Sequence, residues 1–243
     1  MPRFLAALLA GAALLVSAAG CSAQTSSAHA PPEDAAFGAR VRTYLLAHPE
    51  VIAEAMVKLQ DQQTAQAAAD ARAAILTHRA ALDHDPRDPV AGNPAGAKTM
   101  VEFFDYRCPY CRVAAPELPA FLKAHPDVRL VLKEFPILSE QSETAARYAL
   151  AAARQGKYWP VHQGLMKLPQ LTDATIQDVL KANGVDLARA KVDADSPAIR
   201  RQIEDVHALA MALGINGTPT FIVGDTLSAG WLPQELNAAL KRK

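Results

Sequence analysis

The sequence predicts an α/β fold that is interrupted by a block of helices and preceded by a helical extension. Three observations carry that prediction. The apolar patterns run in the order β-α-β, helices, β-β-α; a Cys-x-x-Cys pair directly follows an apolar strand; and a Gly-Thr-Pro-Thr run immediately precedes the third strand. With half of its 243 residues apolar, the chain can bury a sizeable core.

From the N-terminus, residues 1–20 read as a signal peptide, with Arg3 as the positive charge and residues 4–16 free of polar side chains. That run is shorter than the about 20 apolar residues a spanning helix needs. The expectation is export, to a periplasmic compartment where disulfides persist. Ser17-Ala18-Ala19-Gly20-Cys21 resembles a bacterial lipobox, with Ala18 where that pattern usually has Leu. Cys21 is therefore a candidate for lipidation and membrane anchoring. Ordinary cleavage at Cys21-Ser22-Ala23, or a leftover signal-peptide thiol, are the alternatives.

Residues 21–36 are rich in Ser, Ala and Pro without periodicity and read as a tether. Residues 37–82 read as a helical extension. Phe37, Val41, Tyr44 and Leu45 fall at helical spacing, Pro49 suits the first turn of a second helix, and Val51, Ile52, Ala55, Met56 and Leu59 continue an apolar stripe. Residues 83–97, with Pro86, Pro89, Gly92, Pro94 and Gly96, break the helix and hold a linker and a first short strand.

The α/β domain occupies residues 98–243. Residues 99–105 and 128–135 have the composition of buried strands, and residues 108–124 read as one helix between them. Helical signals fill an insertion at about residues 139–204 and continue to Leu213, with Ser196-Pro197 as an N-cap followed by Pro. A strand at residues 220–223, a turn at Gly224-Asp225, a short strand near Leu227 and a helix from Pro233 complete the chain.

Charge excludes some classes of function. Lys+Arg and Asp+Glu number 25 each, so no basic stripe marks a nucleic-acid partner. Three cysteines exclude a disulfide-rich scaffold.

Cys108-Pro109-Tyr110-Cys111 is the pattern with chemical content. At a helix start, unpaired N–H groups and the helix dipole favour the Cys108 thiolate. Cys111 is one helical turn further on and deeper, so the two sulfurs can close a disulfide. The exposed sulfur then attacks and the buried one resolves the mixed disulfide. A structural zinc site would need further ligands, and no two histidines lie three to five residues apart. Copper(I) on the Cys108 and Cys111 thiolates is a chemically reasonable alternative. Gly217-Thr218-Pro219-Thr220 places a proline at a strand entry, where no ladder N–H is needed.

Together, the segment from Glu102 to Cys111 and Gly217-Thr218-Pro219-Thr220 resemble the bacterial disulfide-bond protein A (DsbA) family, a thioredoxin-like fold with an inserted helical domain. Residues 37–82 resemble the N-terminal extension of the suppressor-of-copper-sensitivity protein C (ScsC) branch. The resemblance implies that Cys108 is the nucleophile and Cys111 the resolving cysteine. Pro109 and Tyr110 would tune the redox potential; Tyr110 stands where the family commonly has His, which implies a less oxidising disulfide. Pro219 would be a cis-proline packed against the disulfide, with the Thr218 backbone pairing with an extended client. Glu102 and Lys133 match a buried acid and its basic neighbour, read as a proton path to Cys111 or as an ion pair at a sheet end.

The resulting expectation is a thiol–disulfide oxidoreductase or isomerase acting on cysteines of exported proteins, reset by a membrane redox partner. It needs no cofactor beyond the Cys108–Cys111 disulfide. The apolar stripe of the extension gives an expectation of a homo-oligomer, and its resemblance to the ScsC branch implies a trimer with isomerase activity. The alternative is a copper(I)-binding protein of the same fold.

Overall fold

The computed structural model describes residues 32–242. Residues 1–31, on which the expected signal peptide, most of the expected tether and Cys21 fall, lie outside the described residues. Two compact units divide the chain between Val57 and Lys58.

The N-terminal unit holds α1 (Pro32–Ala47) and the start of α2 (Glu50–Thr77). α1 begins within the segment read as a tether. A helix tolerates Pro at its first position and is favoured by acids in its first turn, as Asp34 is here. Pro49 separates the two helices, and Glu50 opens the second with a favourable charge. The helices form, and apolar residues of the expected stripe face solvent in the single chain: Phe37 is 59% exposed, Ile52 47% and Met56 66%.

The larger unit continues with α3 (Arg79–Asp83), β1 (Val90–Gly92), β2 (Lys98–Phe104), α4 (Pro109–Ala114), α5 (Leu118–Ala124) and β3 (Val128–Glu134). The inserted helices are α6 (Glu140–Ala153), α7 (Tyr158–Lys167), α8 (Asp173–Ala182) and α9 (Leu187–Ala194). α10 (Pro197–Ala212), β4 (Thr220–Val223), β5 (Thr226–Ala229) and α11 (Pro233–Lys241) follow. The strands form one sheet in the order β1-β3-β2-β4-β5. Only β2 and β3 pair in parallel, as a crossover through α4 and α5 requires.

The expected single helix over residues 108–124 is instead two. Pro116 cannot donate to the helical ladder, so α4 ends at Ala114 and α5 restarts at Leu118. α9, which has no strong apolar signature, is started by the Asp186 side chain accepting from the Arg189 N–H at 3.0 Å. The insertion boundary near residue 204 falls inside α10, which serves two cores. Ile199 and Ile203 pack with the inserted helices, while Val206, Leu209 and Ala210 pack beneath the sheet.

Strand alternation sorts the sheet into two faces. Met100, Phe104, Leu130, Leu132 and Phe221 share a core with both cysteines, α5, α11 and the insertion. Val101, Phe103, Val131 and Ile222 face the other way, onto Ile75, Leu82 and α10.

Candidate active site

β2 runs into the turn Asp105-Tyr106-Arg107, which delivers Cys108 to the start of α4. The buried Asp105 carboxylate fixes this turn. It accepts from the Arg107 N–H at 2.6 Å, the Ser142 hydroxyl at 2.7 Å, and the Ile137 and Leu138 N–H groups at 2.9 and 3.0 Å. One side chain thus binds the nucleophile's turn to the loop between β3 and α6.

Cys108 and Cys111 are both free thiols in this state. The nucleophile is less open than its position suggests: Cys108 is 4% exposed and Cys111 fully buried. Their electrostatics diverge. The Cys111 thiol, a second hydrogen bond from the Thr218 side chain, and the backbone N–H groups of Cys111 and Tyr110 hold Cys108 down to about 5, against its own burial. The stabilisation that Tyr110 cannot give as an imidazole would is supplied by these donors. Burial pushes the Cys111 thiol far upward, reinforced by its bond to Cys108 and by the charge of Glu102. In its thiol form, Cys108 donates to the Thr218 carbonyl at 3.0 Å. The Thr218–Pro219 bond is cis, as the resemblance implied.

The two residues of the expected proton path are not together. Parallel pairing sets Glu102 opposite Leu132 and Lys133 opposite Phe103, so the side chains lie on opposite faces of the sheet. Glu102 is on the dithiol face. Burial pushes it up to about 8, and its Oε2 has no hydrogen-bond partner among the described residues. Lys133 instead donates to the Asp88 carboxylate and, at 2.6 Å, to the Ala81 carbonyl, anchoring the linker beneath the sheet. A strand's period of two decides this, and the adjacent-strand register that it needs was not readable from the sequence.

Beside the dithiol turn lies a second polar cluster that sequence reasoning missed. Glu134 Oε1 accepts from the hydroxyls of Tyr106 at 2.8 Å and Tyr158 at 2.7 Å, and Tyr106 contacts His162 Nδ1 at 3.3 Å. Burial pushes Glu134 up to about 8 and His162 down to about 3, so both are neutral near pH 7. The signal was a charged residue adjoining Lys133 at the end of an apolar strand.

A groove of about 400 Å³ opens beside Cys108, lined by Tyr110, Val113, Thr218, Pro219, Trp231 and Leu232 among others. Tyr110 is 72% exposed and Val113 60%, an apolar rim on an otherwise buried site. Among the described residues, no group of three or more His, Cys, Asp or Glu side chains could hold a metal ion.

A sheet with a Cys-x-x-Cys at a helix start, facing a cis-proline loop, defines a thioredoxin-fold dithiol protein. The comparisons agree. A model of the DSBA-like thioredoxin domain matches residues 99–240, and one of the copper resistance protein ScsC N-terminal domain matches residues 33–66. The chain belongs to the DSBA-like thioredoxin-domain family and carries an ScsC-type N-terminal region.

Among solved structures, a thioredoxin-like oxidoreductase from Silicibacter pomeroyi is 43% identical, with a TM-score of 0.65 over 67% of this chain and 95% of that one. Proteus mirabilis ScsC in a transitional conformation is 29% identical, with a TM-score of 0.64 over 86% of this chain and 95% of that one. The thiol:disulfide interchange protein DsbA of Bordetella pertussis is 30% identical over 146 residues, 56% of this chain and 68% of that protein. The chain also spans 28% of the length of a curated Na⁺/H⁺ antiporter from Salinispora tropica, at 31% identity over 193 residues and 78% of this chain. That similarity reaches only part of the antiporter. No helix among the described residues is long and apolar enough to cross a membrane.

Proposed function

We propose that this chain is an exported, periplasmic thiol–disulfide oxidoreductase that acts on cysteines of other exported proteins through Cys108 and Cys111. The observation that carries the reading is the asymmetry of the dithiol: one sulfur held as a thiolate near neutral pH beside an open apolar groove, the other buried and protonated.

In the reducing direction, the Cys108 thiolate attacks a client disulfide. A Cys108–client S–S bond forms and one client sulfur leaves as thiolate. Cys111 then loses its proton, which the ionised form of Glu102, populated as the pH approaches about 8, can take, and attacks Cys108. The Cys108–Cys111 bond forms, the second client sulfur leaves, and two electrons have passed to the client. Oxidation is the same path reversed.

The exposed stripe on α1 and α2 supports a homo-oligomer, since a free apolar stripe is one that monomers rarely tolerate, and the ScsC-type extension makes a trimer the form proposed. Several Cys108 sites around one client would raise their effective concentration and favour isomerisation. Cys21 lipidation and a membrane redox partner belong to the same proposal.

Copper(I) binding is the second reading, favoured by two free thiols one helical turn apart. A dithiolate would require ionising Cys111, whose environment opposes it.

The test is insulin reduction and scrambled-ribonuclease refolding, run beside copper titration of the reduced protein. The reading expects turnover in the first two assays, and refolding activity lost while insulin reduction is kept when residues 37–57 are deleted, which leaves Ile75 and Leu82 in the core. Stoichiometric copper binding without turnover would replace it with the second reading.

A further inference from the structure

Asp105 serves both cysteines through its main chain. Its carbonyl accepts from the Cys108 N–H at 3.1 Å. Its own N–H faces the Cys111 sulfur and finds no backbone carbonyl among the described residues. Asp105 directly follows β2, so this N–H lies beyond the last pair of the ladder with β4, Phe103 and Thr220.

The side chain fixes that main chain. Asp105 is 1% exposed. Its Oδ1 accepts from the Arg107 N–H and the Ser142 hydroxyl, and its Oδ2 from the N–H groups of Ile137 and Leu138. These donors belong to the dithiol turn, the loop after β3 and the first turn of α6. Gripped on both oxygens from separate segments, the carboxylate has one orientation, and the adjoining peptide is held with it.

The step that uses this peptide is the second one. To attack Cys108, Cys111 must carry a negative charge where burial, Cys108 and Glu102 all oppose it, and the Asp105 N–H is the group that favours it. A donor already aimed at the atom where charge develops stabilises that charge without reorganising. The first step has its own donors, because the Cys108 thiolate is held by the Cys111 thiol and by the N–H groups of Cys111 and Tyr110.

Resting on the oxidoreductase reading, we infer that Asp105 is a positioning residue for resolution: its carboxylate aims its own N–H at Cys111 as that sulfur ionises and closes the disulfide. The carboxylate itself bonds to neither sulfur.

The experiment mixes the reduced full-length protein with the chromogenic disulfide dithiobisnitrobenzoate in stopped flow. Attack by Cys108 forms a mixed disulfide and releases one coloured thiolate, at a rate that rises with reagent concentration. Cys111 then gives up its proton and attacks Cys108. The Cys108–Cys111 bond forms, and the second thiolate leaves at a rate independent of the reagent. Two electrons have then passed from protein to reagent. Asp105→Asn keeps the shape but sets an amide nitrogen against the donors of one oxygen. It should leave the first phase at the wild-type rate and slow the second about ten-fold or more, the loss of one well-aimed bond to a charged atom. Ser142→Ala removes a single donor and should slow the same phase less. Tyr158→Phe, outside this network, should change neither phase.

A second phase unchanged in folded Asp105→Asn, or slowed no more than the first, overturns the inference and leaves the oxidoreductase reading standing. Should Asp105→Asn not fold, the same comparison of phases in Ser142→Ala decides. Release of a single thiolate or of none by the wild type overturns both.

Discussion

The two faces of the sheet bury ionisable groups in opposite ways. Beneath the sheet, Lys133 and Asp88 form an ion pair that is 1% and 2% exposed at its side chains, completed by the Ala81 carbonyl. On the dithiol face, Glu102 has no such cation and Glu134 has only hydroxyls, so burial holds both as neutral acids. One face uses a charge pair to hold a linker in place. The other keeps protons in reserve next to two sulfurs whose chemistry moves protons. The comparison separates a structural burial from a chemical one, even though Lys133 and Glu134 are neighbours in sequence.

The largest effect should come from breaking the pair. Lys133→Met leaves Asp88 buried without its cation and should cost about 3–5 kcal/mol in urea unfolding. The double variant Lys133→Met with Asp88→Leu should recover much of that loss, because two apolar groups then replace two charges. No recovery in the double variant would mean that the Ala81 bond, not the charge pair, holds the linker.

The dithiol face should show itself through pH. Glu102 and Glu134 rise from the ordinary 4.5 to about 8, and Asp88 rises to about 6. Each raised carboxyl makes the folded state hold more protons than the unfolded state between its ordinary and its folded value. The oxidised protein should therefore lose stability as pH rises from about 4.5 to about 8. Cys108 works in the opposite direction in the reduced protein. Its depressed value contributes stability that is complete above the ordinary thiol value of 9.0 and lost as pH falls through about 5. The reduced form should thus show a flatter profile than the oxidised one. Glu102→Gln should remove part of the slope in both and slow the Cys111 step; an unchanged slope would show that Glu102 is already ionised.

The smallest effect is expected at the tyrosines. Tyr158→Phe removes one of two donors to Glu134 and should cost about 0.5–1.5 kcal/mol, with Cys108 reactivity unchanged. A larger loss would place Tyr158 in the same class as the Lys133 pair.

Much of this site is legible in the sequence because its signals are local. Cys108 and Cys111 lie one turn apart after an apolar strand, and Pro219 stands at the entry to another. The broken helix was legible too, in Pro116, although the apolar spacing from Ala114 to Leu122 masks it. The rest depends on distance. Which face Lys133 takes follows from its pairing with Phe103, and Glu134 finds Tyr158 24 positions further along the chain. Asp105 reads as the end of a strand until the loop holding Ile137 and Leu138 is folded against it.

Alkylation of the reduced full-length protein as a function of pH, with each cysteine located by mass, tests the central claim most directly. The account predicts that Cys108 is modified with a midpoint of about 5, while Cys111 stays unmodified until the protein unfolds. Equal labelling of the two thiols, or a Cys108 midpoint at the free-thiol value of about 8.5, would contradict it.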